Sequence, residues 1–210
     1  MSKITWRGGA LIAPLPVVLV SSGTVDSPNV MTAAWTGIIN TIPAKTYVSI
    51  RPERYSHEII SNTREFVINL TTADLVFATD FCGVRSGKDI DKFKKMNLTP
   101  EKVTKILAPA IGESPVNLEC KVTDVVKLGS HDMFIADIVA VNVDEKLMDK
   151  NGKLHLEKAN LMAYSHGEYF ELGKKIGKFG FSVQKKCRGR WPIVPKKYCI
   201  SRNIMIEYIS

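Results

Sequence analysis

The sequence lacks the cysteine patterns that mark a metal centre or a disulfide-stabilised fold. Four cysteines occur in 210 residues, at positions 82, 120, 187 and 199, with no C-x-x-C motif and no histidine at zinc-ligand spacing. We therefore predict no metal site. Buried or unreactive thiols in a reducing compartment fit this pattern, and a disulfide between Cys187 and Cys199 stays open as the alternative.

Long apolar runs and targeting signals are missing as well. No stretch reaches the roughly 18 apolar residues that a membrane-spanning helix requires, and two prolines interrupt the apolar run from Ala10 to Val20. The first seven residues carry charges but no apolar core like that of a secretory signal. We expect a cytoplasmic protein with no membrane association.

The common nucleotide and hydrolase signatures are absent too. The chain contains no G-x-x-x-x-G-K-[ST] motif and no G-x-G-x-x-G motif after a predicted strand. No arrangement of Ser, His and Asp, or of Cys and His, identifies a nucleophile. Nucleotide binding by those routes is unsupported, and any chemistry must rest on other residues.

The positive charge is concentrated at the C-terminal end. The net charge is +8, but residues 185–210 hold seven Lys or Arg and one acid, so they supply +6 and leave +2 for residues 1–184. Hydrophobic residues make up 45 % and charged residues 24 %, which is ordinary for a globular domain. A nearly neutral domain with a basic, solvated tail argues against nucleic acid as the partner.

Alternating apolar residues and turn signals predict many short antiparallel strands with few helices. The alternation is clearest over Lys45–Arg51, where Thr46, Val48 and Ile50 share one face. Further strands are predicted at 17–23, 29–40, 66–70, 116–122 and 133–143, the last covered on both faces. Helices are predicted at 56–62, with Ser56 as N-cap, at 74–80, and from Thr99-Pro100-Glu101 onward. This pattern is typical of an antiparallel barrel with short helical insertions.

Two stretches carry the residues best suited to a ligand. Asn29–Trp35 is small and polar, so a flat ring can approach its backbone, and Ser49–Ser56 holds arginines and hydroxyls that suit a phosphate. Each has a simpler interpretation. Ser56 is then a plain helix cap beside solvated arginines, Trp35 packs in the core, and His131 is a surface residue rather than a nicotinamide contact.

Taken together, these stretches resemble the flavin reductase-like, split-barrel FMN-binding family, and most of all its flavoredoxin-type members. The matching segments follow one another in the family's order over about residues 9–186. They are Asn29–Trp35, Ser49–Arg51 with Tyr55-Ser56, Phe66–Leu70, Ser86–Phe93, Leu118–Cys120, Gly129–His131 and Gly177–Gly180. Each segment is weakly specific alone, whereas the ordered set is specific. Residues 187–210 match nothing in the family, so we expect a domain at 1–186 and a basic extension of unknown role at 187–210.

The resemblance implies a mainly β fold, a Greek-key split barrel with short helical insertions, and a homodimer that binds FMN non-covalently near the dimer interface. The isoalloxazine ring would lie along Asn29, Met31, Thr32, Ala33 and Ala34. Ser49 and Arg51 would meet the ring edge or ribityl chain, and Tyr55, Ser56, Ser86 and Lys88 would approach the phosphate. His131 resembles the histidine that family reductases place near the nicotinamide, although Ser130 stands where the family commonly has Asp.

The resemblance thus implies an FMN flavoprotein that transfers electrons or hydride, either as an NAD(P)H-dependent reductase or as an electron carrier. Whether it is an enzyme stays open at this point. One alternative is a flavin-binding module with no turnover. The other is a basic interaction protein that acts through its C-terminal tail.

Overall fold

The computed structural model describes residues 2–183 of the chain. The chain divides into two compact units, Met1–Lys174 and Lys175–Ser210. The first unit carries all the strands and α-helices given below. In the second, the described part holds a 3-10 turn at Phe181–Val183. The predicted extension at 187–210, the boundary at 186 and the Cys187–Cys199 alternative lie outside the described residues.

Seven antiparallel strands form the main sheet of the first unit. The strands are β2 (Val18–Gly23), β3 (Pro28–Ala33), β4 (Thr36–Thr41), β5 (Ala44–Ile50), β6 (Glu65–Leu70), β9 (Val116–Lys127) and β10 (Asp132–Val143). Their spatial order is β3-β2-β6-β9-β10-β5-β4, and all neighbouring pairs are antiparallel.

Smaller elements flank this sheet. A three-stranded sheet joins β1 (Leu15–Pro16), β11 (Met162–Ser165) and β12 (Glu168–Glu171), and a two-stranded one joins β7 (Pro100–Glu101) and β8 (Ala110–Ile111). The helices are α1 (Tyr55–Thr63), α2 (Val76–Val84) and α3 (Lys92–Lys95), with 3-10 turns at Ala73–Leu75, Glu145–Leu147 and Leu156–Lys158. Among residues 2–183, no helix is long and apolar enough to cross a bilayer.

Strand β5 shows how the sequence pattern places the core. Thr46, Val48 and Ile50 are buried, as the alternation predicts, while Ser49 on the opposite face is half-buried and available to a ligand. Val48 and Ile50 join the main core cluster, which also includes Phe66 and Phe134. The barrel interior is therefore filled by side chains, and a site must lie on its outside.

The single strand predicted at 29–40 is wrong, because the chain forms two strands there. It bends at Ala34-Trp35, and the two strands lie at opposite edges of the seven-stranded sheet. The carbonyl of Trp35 accepts a 2.9 Å hydrogen bond from the Ser49 amide, which holds the bend against the end of β5. The bend opens a space between β3 and β5 that a straight strand would close.

The helix predicted from Thr99 is also wrong. Residues Pro100–Glu101 form β7 instead, which pairs with β8. The Thr99 hydroxyl, expected to cap a helix, donates a 2.7 Å hydrogen bond to the Glu113 carboxylate, which also accepts from the Thr99 amide. The buried carboxylate of Glu119 accepts from the amides of Thr104 and Lys105, so side chains replace the hydrogen bonds of a helical turn.

Strand β10 is central in the sheet, as predicted, but its outer face is covered only in part. Phe134 and Ala136 are buried in the core, and Val139 and Val143 pack against neighbouring buried clusters. Val141, by contrast, is 53 % exposed.

Candidate functional site

A cleft of about 360 Å³ opens beside the bend at Ala34-Trp35. It is bordered by β3, the end of β5, helix α2, the start of β10 and the β11–β12 hairpin. The lining residues are Val17, Met31, Thr32, Ala33, Ala34, Trp35, Ser49, Ile50, Arg51, Arg54, Asp80, Gly83, Val84, His131, Tyr164 and Tyr169. Its volume lies in the range of ordinary small-molecule sites.

The wall formed by β3 is shallow because its side chains are small or already engaged. Ala33 and Ala34 project little into the cleft, and the Thr32 hydroxyl donates to the Thr79 carbonyl of α2. Gly83 lets the helix come this close, since a Cβ there would lie 3.3 Å from the Thr32 Cβ. The close approach of α2 to β3 leaves a smooth wall that suits a flat ring.

Trp35 and His131 form a stacked pair at the cleft. Their ring centroids are 6.4 Å apart with an interplanar angle of 4°, and the Trp35 residue is 43 % exposed. The expectation that Trp35 packs in the core is therefore wrong. His131 Nδ1 lies 2.9 Å from Ser130 Oγ, so the hydroxyl neighbour fixes the orientation of the imidazole ring.

A second, smaller niche of about 150 Å³ adjoins the cleft and shares Met31, Arg54 and Gly83 with it. It lies at the start of α1 and is lined by Asn29, Met31, Glu53, Arg54, Tyr55, Ser56, Cys82, Gly83, Arg85, Ser86, Gly87 and Lys92. Three cationic side chains and one acidic side chain line it. This charge balance, together with the first amides of a nine-residue helix, favours an anion.

Ser56 is not the N-cap that the sequence predicts. Arg54 occupies that position, and Ser56 lies inside the first turn with only 2 % of its surface exposed. Its hydroxyl accepts a 2.8 Å hydrogen bond from Asn29 Nδ2, which also donates to Ser22 at 3.3 Å. The amide of Asn29 is thus committed to joining β3 and α1.

The turn at Ser86-Gly87 closes the niche from the other side. A Cβ at Gly87 would lie 2.1 Å from Asn29 Oδ1 and 3.1 Å from a ring carbon of Tyr55, so only glycine fits. The Ser86 hydroxyl accepts a hydrogen bond from the Lys88 amide at 3.2 Å. The turn therefore presents backbone directly to the niche.

Lys92 is the site residue that sequence reasoning missed most clearly. The residue is only 5 % exposed, and its ammonium group donates to the carbonyls of Cys82 at 3.1 Å and Arg85 at 3.2 Å. Burial lowers the pKa of Lys92, and burial raises the pKa of the Cys82 thiol to about 11. Lysine in a run of Lys and Asp reads as a solvated surface residue, so the sequence gives no signal of this position.

Further residues line the site. Arg54 lies in the Ser49–Ser56 stretch whose arginines suit a phosphate, and it faces both cavities, with its guanidinium 3.4 Å from the Gly83 carbonyl. On the far side, Tyr169 donates a 3.2 Å hydrogen bond to Asp80, and burial and this contact raise the pKa of Tyr169 to about 12. These residues come from distant parts of the chain, and no local pattern connects them.

The structure brings most of the predicted site residues together. Met31, Thr32, Ala33, Ala34, Ser49, Arg51 and His131 line the cleft, and Asn29, Tyr55, Ser56 and Ser86 line the niche. Lys88 lines neither cavity, since its ammonium lies 3.6 Å from Glu58 and over the Tyr55 ring. Among the described residues, no group of His, Cys, Asp and Glu side chains is arranged to hold a metal ion.

Sequence comparison gives a consistent assignment. The profile described as "Flavin reductase like domain" matches residues 11–173. An uncharacterised protein of Archaeoglobus fulgidus is 34 % identical over 157 residues, covering 75 % of this chain and 87 % of its own length. An uncharacterised protein of Pyrococcus abyssi is 32 % identical over 171 residues, covering 81 % and 97 %.

Solved structures support the same assignment. Flavoredoxin of Desulfovibrio vulgaris (Miyazaki F) superimposes with a TM-score of 0.81 at 30 % identity, covering 87 % of this chain and 100 % of that one. Flavoredoxin from Methanosarcina acetivorans gives 0.78 at 25 %, covering 88 % and 100 %. These matches confirm the mainly β split barrel. The chain belongs to the flavin reductase-like domain family, and its relatives include flavoredoxins.

Proposed function

We propose that this protein binds FMN non-covalently and uses it to transfer electrons or hydride. The observation that carries the proposal is the joining of a smooth-walled cleft to a small cationic niche through three shared residues. A flat ring with a short chain ending in a phosphate requires a site of this form. A bound flavin supplies the redox chemistry, and the protein supplies position and electrostatics.

The niche supplies the groups that a phosphate needs. The buried ammonium of Lys92 provides a fixed charge, while Arg54 and Arg85 provide exposed charges at the rim. The amides of Tyr55 and Ser56 belong to the first turn of α1, where backbone N–H groups lack helical partners. Charge-assisted hydrogen bonds of this kind are roughly twice as strong as neutral ones.

The cleft supplies the surface for the ring. Ala33 and Ala34 leave one face of a bound ring accessible, and Arg51 places a positive charge at the border. Arg51 is partly neutralised by Glu53 at 3.3 Å, so ligand binding competes with an exposed ion pair. A cation beside the ring favours the negative charge that the ring gains on reduction.

NAD(P)H is the donor that the position of His131 supports best. His131 lies at the cleft with its Nδ1 held by Ser130, which leaves Nε2 to meet an incoming carboxamide or ring. An electron carrier that takes its electrons from a protein is the second candidate. The similarity to flavoredoxins favours it.

We also propose that the protein is a homodimer. Ile38, Ile39 and Ile42, on β4 and the turn that follows it, are 63 %, 48 % and 86 % exposed, and Val141 on β10 is 53 % exposed. The N-terminal segment exposes Ile4, Trp6, Leu11 and Ile12 as well. Exposed apolar groups of this number favour burial against a second copy.

The test is anaerobic reduction of FMN-loaded protein, followed by absorbance at the flavin bands. A reductase bleaches rapidly with NADH or NADPH and recovers when air is admitted. Bleaching by dithionite but not by either nicotinamide, followed by electron transfer from the reduced protein to an added acceptor, identifies the carrier instead. A protein that takes up no FMN at micromolar concentration contradicts the proposal, and one that binds FMN yet passes electrons to no acceptor is a non-catalytic flavin-binding module.

A further inference from the structure

A buried pair lies behind the cleft and is not part of its lining. His57 Nε2 and Asp132 Oδ2 are 2.9 Å apart, with side chains 17 % and 12 % exposed. The His57 ring also packs edge-on against Phe134 in the main core, with centroids 5.1 Å apart. A pair this enclosed is held in one geometry, unlike a surface ion pair.

The pair connects the two ends of the proposed site. His57 lies in the first turn of α1, directly after Ser56, which lines the niche. Asp132 begins β10, directly after His131, which lines the cleft. Consecutive residues of an extended segment point to opposite faces. The carboxylate therefore points away from the cleft, while the imidazole before it reaches the cleft.

We propose that Asp132, through His57, is a positioning residue that sets where His131 stands in the cleft. This inference rests on the proposed function, because His131 matters only if a donor or ring binds there. His131 is otherwise held by Ser130, by its stack on Trp35, and by the 2.9 Å hydrogen bond from the Leu128 amide to its carbonyl. These three contacts involve a turn or the half-exposed Trp35 ring, so they hold His131 weakly. The bond from Asp132 to His57, by contrast, connects the start of β10 to helix α1, which packs on the core.

The strand register supports this role. Asp132 is the first residue of β10, and it pairs with both neighbouring strands, facing Ile50 of β5 and Lys127 of β9. The turn at 128–131 comes directly before it, so releasing the carboxylate loosens the strand end that follows His131. A displacement of about 1 Å at a reacting group is enough to lower a rate 100-fold.

The test compares Asp132→Ala, Asp132→Asn and His57→Gln with the wild type. Asn keeps a hydrogen-bonding side chain opposite His57 and Ala does not. The matched control is Asp137→Ala, which removes the bond to Lys45 between the same strands, β10 and β5, away from the cleft. The readouts are the ring NMR signals of His131 and Trp35 in the flavin-free protein, FMN affinity, and the kcat and KM for the nicotinamide donor.

We expect Asp132→Ala to shift the His131 and Trp35 signals and to lower kcat about tenfold, with FMN affinity changed less than about threefold. Asp132→Asn should restore most of the signal positions and of kcat, and Asp137→Ala should change neither. If Asp132→Ala loses stability but its His131 and Trp35 signals do not move, then the Asp132–His57 pair is purely structural and the inference is overturned. Failure of the wild type to bind FMN would contradict the proposed function but not the positioning role of Asp132, because the NMR comparison needs no flavin.

Discussion

Asn29 Nδ2 donates a 2.8 Å hydrogen bond to Ser56 Oγ, and both residues are almost fully buried. This bond joins β3, which forms the wall of the cleft, to the first turn of α1, which forms the floor of the niche. The two ends of the proposed FMN site are therefore fixed relative to each other by one side chain. Their spacing is set before any ligand arrives, which favours tight binding of a ligand of matching length.

Replacing Asn29 by Ala should loosen this connection. The change removes two donors and leaves Ser56 and Ser22 without their partner, so we expect the free energy of unfolding to fall by about 1–3 kcal/mol. Urea denaturation measures it. Asn40→Ala is the control, because the Asn40 side chain makes one exposed hydrogen bond, to Pro43; its effect should stay within about 0.5 kcal/mol. Equal losses in the two variants would contradict the connection.

Gly87→Ala should impair the niche with little effect on the barrel. The new methyl group would lie 2.1 Å from Asn29 Oδ1, so the turn must move away from the helix start. We expect FMN affinity to fall at least about tenfold, equivalent to about 1.4 kcal/mol, in a fluorescence titration. Gly173→Ala meets nothing within 4 Å and should bind FMN like the wild type. Unchanged affinity in Gly87→Ala would place the phosphate elsewhere.

Lys92→Met should remove the buried charge while keeping a similar shape. We expect FMN affinity to fall about 10- to 100-fold, the range for loss of a charge-assisted hydrogen bond, whereas the exposed neighbour Lys94→Met should change it little. Burial lowers the pKa of Lys92 below the ordinary 10.5, so its ammonium group loses its charge at a lower pH than that of an exposed lysine. As the pH is raised, FMN binding by the wild type should therefore begin to weaken before pH 10.5. A pH series of titrations checks this, and a pH-independent affinity up to pH 10.5 would exclude Lys92 from the phosphate.

The turn at 149–155 should have a limited pH range of stability. The hydrogen bond from His155 lowers the pKa of Asp149 to about 2, and the same bond, helped by Glu157, raises the pKa of His155 above 6.5. The Asp149 contribution is complete above its ordinary pKa of 3.8 and fades toward pH 2. The His155 contribution is complete below 6.5 and fades as pH rises through the raised pKa. The protection factor of the Lys153 amide, which donates to Asp149, should therefore be highest between these limits, and His155→Gln should abolish its loss at high pH.

The sequence predicts the parts of this fold in which one local rule dominates. The alternation in β5 correctly places Thr46, Val48 and Ile50 in the core, because burial on one face is a period-two property. The helix after Pro52 and the turn at 149–152 also form where they were expected. The cleft and niche residues came from the ordered family segments rather than from any single motif.

The rest depends on tertiary contacts that no periodic pattern indicates. Thr99-Pro100-Glu101 has the features of a helix start. The Thr99 hydroxyl donates to the Glu113 carboxylate instead of capping a helix, and the following residues form β7. The sequence around Lys92 indicates a surface lysine, whereas in the structure its ammonium group donates to the carbonyls of Cys82 and Arg85. Trp35 is exposed because the chain bends beside it to change from one edge of the sheet to the other. These contacts form only in the folded chain, and the local sequence pattern does not predict them.

The most direct measurement is a pair of titrations of flavin-free protein with FMN and with riboflavin, followed by quenching of flavin fluorescence. The two ligands share the ring and differ in the phosphate, so their affinity ratio isolates the niche. We predict that FMN binds at least about 100-fold more tightly, equivalent to about 2.7 kcal/mol, and that Lys92→Met removes most of the difference. Equal affinities for the two ligands, or binding of neither, would contradict an FMN site built from this cleft and niche.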